Sequence, residues 1–370
     1  MKKNIQTYVY LVIACTLLSV KSLGQLKARL NTVESTPLFA DNTFFDSDAV
    51  LDITLSGNLH VLLNDRSVDS KYHPITVSYK NKDGSNFNIT AKAKTRGHFR
   101  KLRSNCDYPP LLLNFSTSDS LELSVFKGQN KLKLVMPCAE DNFVIREWLV
   151  YKMYNLITPK SFRTKLVRIK LADSKKNKNI ASFYGLLLED ESAMARRNGL
   201  ISVNKKTRPE YTNRINFLTM SVFQYLIANT DWSVQYNQNV KLIAPDTLAL
   251  PTVVPYDFDH AGIVETPYAK PPEELDMNSI RERRYRGYCI ADMKQFEPIV
   301  EFYISIKKDI YNLYTDCSLL DTRYRDRTIA YLDEFYLTIT TPELLQKAFG
   351  YPCDKNGTGH IIIRGLKEDK

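Results

Sequence analysis

Two carboxylates one residue apart, Asp257 and Asp259, sit in the segment Pro255-Tyr256-Asp257-Phe258-Asp259-His260-Ala261-Gly262. The apolar Val253-Val254 before them reads as a buried strand, and an extended exit turns both acidic side chains to one face. Carboxylates packed together repel unless a cation or hydrogen-bond donors neutralise them. Hard oxygen donors of this kind suit Mg²⁺. Upstream lie a loop carboxylate, Asp231, and an amide at a strand start, Asn239, with Asn237 as the alternative two residues earlier. Asp231 follows a helical pattern, where a helix-to-loop exit can present it to a hydroxyl group. An amide oxygen and a carboxylate holding Mg²⁺ against a triphosphate, with a second carboxylate for an acceptor hydroxyl, are the parts of a phosphoryl-transfer centre. Taken singly, each residue also fits an ordinary turn. Asp231 can cap local amides, and 257–262 can be a strand-end loop.

Periodicity gives the elements that must hold these groups. Val50 to Leu55 alternates as a strand, and residues 60–64 read as a short helix. Ile75 to Tyr79 and Phe87 to Ala93 form a hairpin pattern around the turn Asn81 to Ser85. Leu111 to Phe115 and Lys131 to Val135 are further strands. Phe143 to Leu156 carries apolar residues at helical spacing. Lys165 to Leu171 and Ser182 to Leu188 read as a strand pair, and Arg214 to Ala228 as an amphipathic helix leading straight to Asp231. Strands at 239–243 and 252–256 follow, then helices over Asp292 to Tyr314, Leu320 to Thr338 and Pro342 to Phe349. A β-rich first half before a helical second half predicts an α+β fold with two lobes and a cleft between them. The expected division is a leader over 1–25, a β-rich lobe over 26–190, a helical lobe bearing the acidic loops over 191–350, and a tail over 351–370.

Composition sets bounds on the rest. The 370 residues are 44% apolar and 25% charged, enough for a sizeable core, and the 22 Tyr and 17 Phe favour a protein that contains sheet. The net charge of +10 is spread along the chain. Its runs at 175–178 and 281–284 read as a solvated loop and helix end, and no nucleic-acid motif accompanies them, so nucleic acid is not an expected partner. Met1-Lys2-Lys3, the apolar stretch Tyr8 to Val20 and the small residues around Ser22-Leu23-Gly24 make an export signal cleaved near Gln25. Val12 to Cys15 loosely resembles a lipoprotein box, but Leu17-Leu18 continue the apolar run beyond it. No other segment is apolar enough to span a bilayer. Export places the five remaining cysteines, Cys106, Cys138, Cys289, Cys317 and Cys353, in an oxidising compartment. Their spacing lacks a CxxC pair, which argues against zinc. The expected pairing is Cys106 with Cys138, plus one bridge among the three C-terminal cysteines.

Three short segments together resemble the spore-coat protein H (CotH) kinase-like family. These are Asn229-Thr230-Asp231, Asn239-Val240-Lys241-Leu242 and Pro255-Tyr256-Asp257-Phe258-Asp259. Thr95-Arg96-Gly97, Asn130 to Leu134, Arg146 to Tyr151 and Tyr184 to Glu189 match more loosely, so the resemblance spans roughly 45–340. The Gly-Gln end of the leader and the block Asn105 to Pro110 resemble secreted members from Bacteroidota-type bacteria. The resemblance implies a two-lobed, atypical protein-kinase-like fold. It implies Asp231 as the catalytic carboxylate, Asn239 and Asp257 as ligands of Mg²⁺ (or Mn²⁺), and Asp259 in support. It further implies ATP held with the help of Glu147 and Glu189, and transfer to a hydroxyl of a protein or glycan partner. The chain departs from the family after the Arg-Gly turn, where Cys106 to Leu113 contains no Lys. Lys131 or Lys133, which alternation puts on one face, would then supply the phosphate-binding charge, with Arg96 and Arg100 as further candidates. Two other functions remain open at this point: a catalytically inactive module of the cell envelope, and a metal-dependent phosphoesterase.

Overall fold

The computed structural model describes residues 43–353 apart from 82, 117 and 177. The expected leader and most of the expected tail lie outside the described residues. Seven strands, β1 (Leu51–Gly57), β2 (His73–Lys80), β3 (Asn86–Thr95), β4 (Leu111–Phe115), β5 (Lys131–Val135), β6 (Thr164–Asp173) and β7 (Lys178–Leu188), close into a barrel. Their order is β1-β2-β3-β4-β5-β7-β6. Closure comes from parallel pairing of β1 with β6, with Leu51 opposite Val167 and Gly57 opposite Asp173, while the other pairs are antiparallel. This corrects the expected two-lobed kinase-like α+β fold. The strands of the first half close into a mixed barrel, which the expected β-rich lobe of a two-lobed kinase-like fold did not include. Alternation specifies which face of a strand is apolar, but not which distant strand covers its edge.

The barrel is filled by the inward residues of each strand, among them Leu55, Val77, Ile89, Ala91, Leu113, Leu132 and Ile169, all essentially inaccessible to water. Gly185 permits close strand packing, since a Cβ there would meet Ile169 Cδ1 at 2.2 Å. Short helices α1 (Leu59–Asn64) and α2 (Asp119–Glu122) accompany the barrel. A second core forms around helix α3 (Asn142–Ile157), which is buried on nearly every side. A helix so enclosed serves as a central strut. Around this core lie α4 (Glu191–Arg197), α5 (Arg214–Leu226), the small sheet β8 (Ile201–Ser202), β9 (Val240–Ala244) and β10 (Thr252–Pro255), and helices α6 (Glu297–Ser305), α7 (Lys307–Thr315), α8 (Thr322–Thr340) and α9 (Pro342–Phe349), of which α7 packs directly on α3. The long helix expected over 292–314 is broken. Pro298 fits the first turn of α6, and a non-helical link at Ile306 separates α6 from α7.

Val135, Leu186 and Leu188 point outward from β5 and β7 and join the second core, so this side of the barrel is the seam with the helices. A Cys106–Cys138 disulfide ties the loop after β3 to the segment after β5 beside that seam, and Cys289–Cys353 ties the loop before α6 to the segment after α9. Cys317 is a free, partly buried thiol. Two disulfides, with no helix among the described residues long and apolar enough to cross a membrane, are compatible with an exported protein.

Candidate active site

The site is built at the seam from four pieces of chain. The first is the exit of α5. Ala228 takes a left-handed φ of 52°, which stops the helix sharply, and the chain turns into Asn229-Thr230-Asp231. Asn229 Oδ1 accepts the Asp231 N–H at 3.0 Å, an Asx turn that fixes the backbone and leaves the Asp231 carboxylate to point elsewhere. Both of its oxygens accept amide donors: Gln238 Nε2 on Oδ1 and Asn239 Nδ2 on Oδ2 at 2.8 Å. From behind, the partly buried Arg286 donates its guanidinium to the carbonyls of Thr230 and Trp232, the latter at 2.6 Å, and so grips the two residues flanking Asp231. Burial pushes the Asp231 carboxyl upward, opposed in part by His260 and reinforced by Asp259 and Asp257. A raised carboxyl is better matched to taking a proton from a hydroxyl near neutral pH.

The second piece is the β9–β10 pair. Val240 lies opposite Pro255, and the Tyr256 N–H donates to Asn239 O at 3.0 Å, which carries Asn239 and Asp257 to the same end of the ladder. Both take left-handed backbone, φ 50° for Asn239 and 63° for Asp257. Non-glycine residues held there cost of order 1–3 kcal/mol each and cluster at functional sites. Asn237, also left-handed, instead donates its side chain to Lys205 O at 3.4 Å and is not part of the group. Phe258 anchors the turn between Tyr151 and Phe223, with ring centroids 4.7 and 5.6 Å away, and the Asp257 N–H donates to the Tyr151 hydroxyl at 2.8 Å.

The left-handed bend at Asp257 also undoes the extended exit expected from the sequence, and each carboxylate meets its own cation. Asp257 Oδ2 lies 3.5 Å from Lys133 Nζ. Asp259 Oδ2 accepts from Arg100 Nε at 2.8 Å, lies 2.6 Å from Arg100 Nη2, and accepts the Tyr268 hydroxyl at 3.1 Å. Burial would raise the Asp259 carboxyl, but Arg100 and then His260 outweigh it and hold it at about 2.

The third and fourth pieces are β5 and the loop after β3. Lys133 stands on the outward face of β5 with its side chain 10% exposed. Burial lowers its pKa, and Asp257 opposes that most strongly. Gly97, at φ 88°, turns the chain out of β3 into the loop that delivers Arg100. Arg100 Nη2 reaches Glu147 Oε2 of α3 at 3.3 Å, while Glu147 Oε1 is buried without a partner. Lys133, Arg100, Asp257, Asp259 and Glu147 therefore form one electrostatic group that extends to Asp231.

The other expected residues fall elsewhere. Lys131, on the same strand face as Lys133, lies at the exposed start of β5. Glu189 follows Leu188, the β7 partner of Lys133, but Arg197 holds both of its oxygens at 3.0 and 2.9 Å and Arg163 approaches within 3.5 Å. Its carboxylate thus clamps the end of β7. A cavity of about 360 Å³ between Tyr108, Cys138, Asp141 and Phe183 holds none of the site residues.

A metal would find two suitable donors here, Asn239 Oδ1 and the Asp257 carboxylate. No group of three or more His, Cys, Asp or Glu side chains gathers as a metal site among the described residues. Two protein oxygens completed by phosphate oxygens and water fit the habit of Mg²⁺, which seldom uses an all-protein cage. Sequence reasoning named Arg100 only as one option, and it passed over Gln238, Arg286, Tyr151 and Tyr268 altogether. Comparisons with protein-family models and with curated proteins return no match for this chain.

Glu147 gives the cluster a pH signature. Burial raises its carboxyl to about 7, opposed by Arg100 and reinforced by Asp259 and Asp257. A carboxyl raised on folding contributes stability in its protonated form, below its unfolded value near 4.5, and that contribution is lost as pH rises through about 7. Unfolding free energy measured in urea between pH 5 and 8 should fall by roughly 3 kcal/mol from this group alone. Glu147→Gln should flatten that slope; an unchanged slope would assign the titration to another residue.

Proposed function

We propose that this protein is an exported phosphotransferase that moves the terminal phosphoryl group of Mg²⁺-ATP to a hydroxyl on a protein or glycan. The observation that supports the reading best is the meeting of Asp231, Asn239, Asp257 and Lys133, from three separate parts of the chain, around one seam. Asn239 Oδ1 and the Asp257 carboxylate would hold Mg²⁺, which when bound offsets charge on the phosphates. Lys133, now on Asp257 and over the Tyr256 ring, places its ammonium beside the metal ligands and is suited to a phosphate oxygen. Arg100 is committed to Asp259 and Glu147, and so fixes the wall of the site. Asp231, held by Gln238 and Asn239, retains oxygen lone pairs to orient the acceptor hydroxyl and take its proton. The short motifs that resemble the CotH kinase-like family supply these same residues, which is why membership of that family belongs to the proposal.

Asp259 is neutralised through Oδ2 by Arg100 and Tyr268, so the proposal places the metal on the Asp257 carboxylate and the Asn239 amide. That donor set suits a metal shared with a triphosphate better than a hydrolase run by metal ions alone. Label transferred from [γ-³²P]ATP tests the reading. Incorporation into an acceptor with Mg²⁺ present, and none with EDTA, is expected. Phosphoester hydrolysis without nucleotide would favour the phosphoesterase instead.

A further inference from the structure

We infer that the outer face of β3, β4 and β5 docks the acceptor, and that this acceptor is an extended acidic peptide segment. The inference rests on the phosphotransfer reading and gives its substrate class. Lys92 and Lys94 point outward from β3, and Arg96 continues the same alternation just past the strand. The register carries the charge across the sheet. Lys92 lies opposite Asn114, which lies opposite Lys131; Lys94 lies opposite Leu112, which lies opposite Lys133 of the candidate site. Two rows of lysines therefore run from β3 to β5; the second ends at the site, and Arg96 is close enough to Lys133 to depress its pKa further.

These cations are unusual for what they lack. Lys92 and Lys131 are exposed, and Lys94 lies over the Tyr72 ring at 5.0 Å. None of Lys92, Lys94, Arg96 or Lys131 is ion-paired with a carboxylate among the described residues, whereas Arg168 on β6 of the same barrel pairs with Asp52 directly opposite on β1. The outward neighbours Pro74, Thr76, Thr90 and Asn114 carry no charge. The lysines of each row stand two strands apart, about 10 Å, with a neutral residue between them, so a net positive face is left for an anionic partner. Lys92, Lys94 and Arg96 recur every second residue, about 7 Å apart. An extended peptide with Asp or Glu at alternate positions has the same repeat, so it can match all three cations at once with its intervening side chains turned away, while a Ser or Thr beyond the last acidic residue reaches the seam. A sulfated sugar chain has no such two-residue period.

The probe is a fluorescein-labelled decapeptide of alternating Glu and Ser, titrated with the protein without nucleotide at about 50 mM salt, where surface charges are weakly screened. It should bind about tenfold tighter than the alternating Gln and Ser peptide, and weaken as salt rises. Lys92→Glu with Lys94→Glu should lower affinity about tenfold, since each pair turns from attraction to repulsion. Lys170→Glu, exposed on β6, should leave it unchanged. Equal binding of the neutral peptide, no loss in the double variant, or capture of a sulfated oligosaccharide with the acidic peptide left free would each overturn the inference. Because no nucleotide is used, failure here leaves the phosphotransfer reading standing, and that reading fails separately if Mg²⁺-ATP does not bind.

Discussion

Asp231→Asn should lower phosphate transfer from Mg²⁺-ATP by about a thousandfold while leaving nucleotide affinity within a factor of about two. The size follows from the role: a positioned general base contributes about 10²–10⁴-fold, and here the same group also orients the acceptor. Asp231 Oδ1 and Oδ2 each accept an amide donor, from Gln238 and Asn239. An Asn at this position offers one acceptor and one donor, so one of those amides would face a like group and the loop would re-seat slightly. The split between rate and binding separates the assignments. If Asp231 were instead a metal ligand, binding and rate would fall together. Label incorporation gives the rate and equilibrium titration the affinity, and a variant retaining more than about a tenth of the wild-type rate would remove Asp231 from the chemistry.

Arg100→Met should destabilise the fold by about 3–5 kcal/mol, the cost of breaking a buried ion pair by deleting one partner. Arg100 joins two carboxylates that are otherwise far apart in the chain, Asp259 at 2.6 Å and Glu147 at 3.3 Å, with all three side chains under a tenth exposed. Met fills much of the volume but leaves both acids uncompensated. Urea unfolding at pH 7.5 should show a lower midpoint with an unchanged slope. Adding Asp259→Asn should recover part of the loss, because it removes the stranded charge; such coupling is expected for residues in direct contact. A loss below about 1 kcal/mol would mean that water, not Arg100, solvates the two carboxylates.

The parts of this molecule that could be read from the sequence were those governed by local pattern. Leu111 to Phe115 and Lys131 to Val135 are strands at the expected bounds, and the helix expected over Phe143 to Leu156 spans Asn142–Ile157. Asp231 and Asn239, eight positions apart, do meet, because the Ser233–Gln238 bridge folds the intervening chain back on itself. The Cys106–Cys138 bridge is as expected. What escaped were consequences of long-range geometry. Barrel closure depends on β1 lying beside β6, more than 100 residues later, and nothing in Leu51–Gly57 names that partner. Lys131 and Lys133 share a strand face, but only the position of the helices decides that Lys133 is covered and Lys131 is not. Arg100 meets Asp259 across 159 residues. Glu189, expected to help hold ATP, is instead taken up by Arg163 and Arg197, which come from separate elements that local pattern does not bring together. The left-handed Asp257 departs from the extended exit that period-two reasoning assumes.

The central claim is that the seam holds a magnesium nucleotide, and isothermal titration of Mg²⁺-ATP into the protein tests it most directly. The account predicts saturable binding at one site per chain, abolished by EDTA and by Asp257→Asn, and weakened about tenfold or more by Lys133→Met through loss of a charged contact to phosphate. No binding at millimolar Mg²⁺-ATP, in protein whose unfolding transition is intact, would contradict it and leave the Asp231–Asn239–Asp257 cluster as the framework of an inactive module.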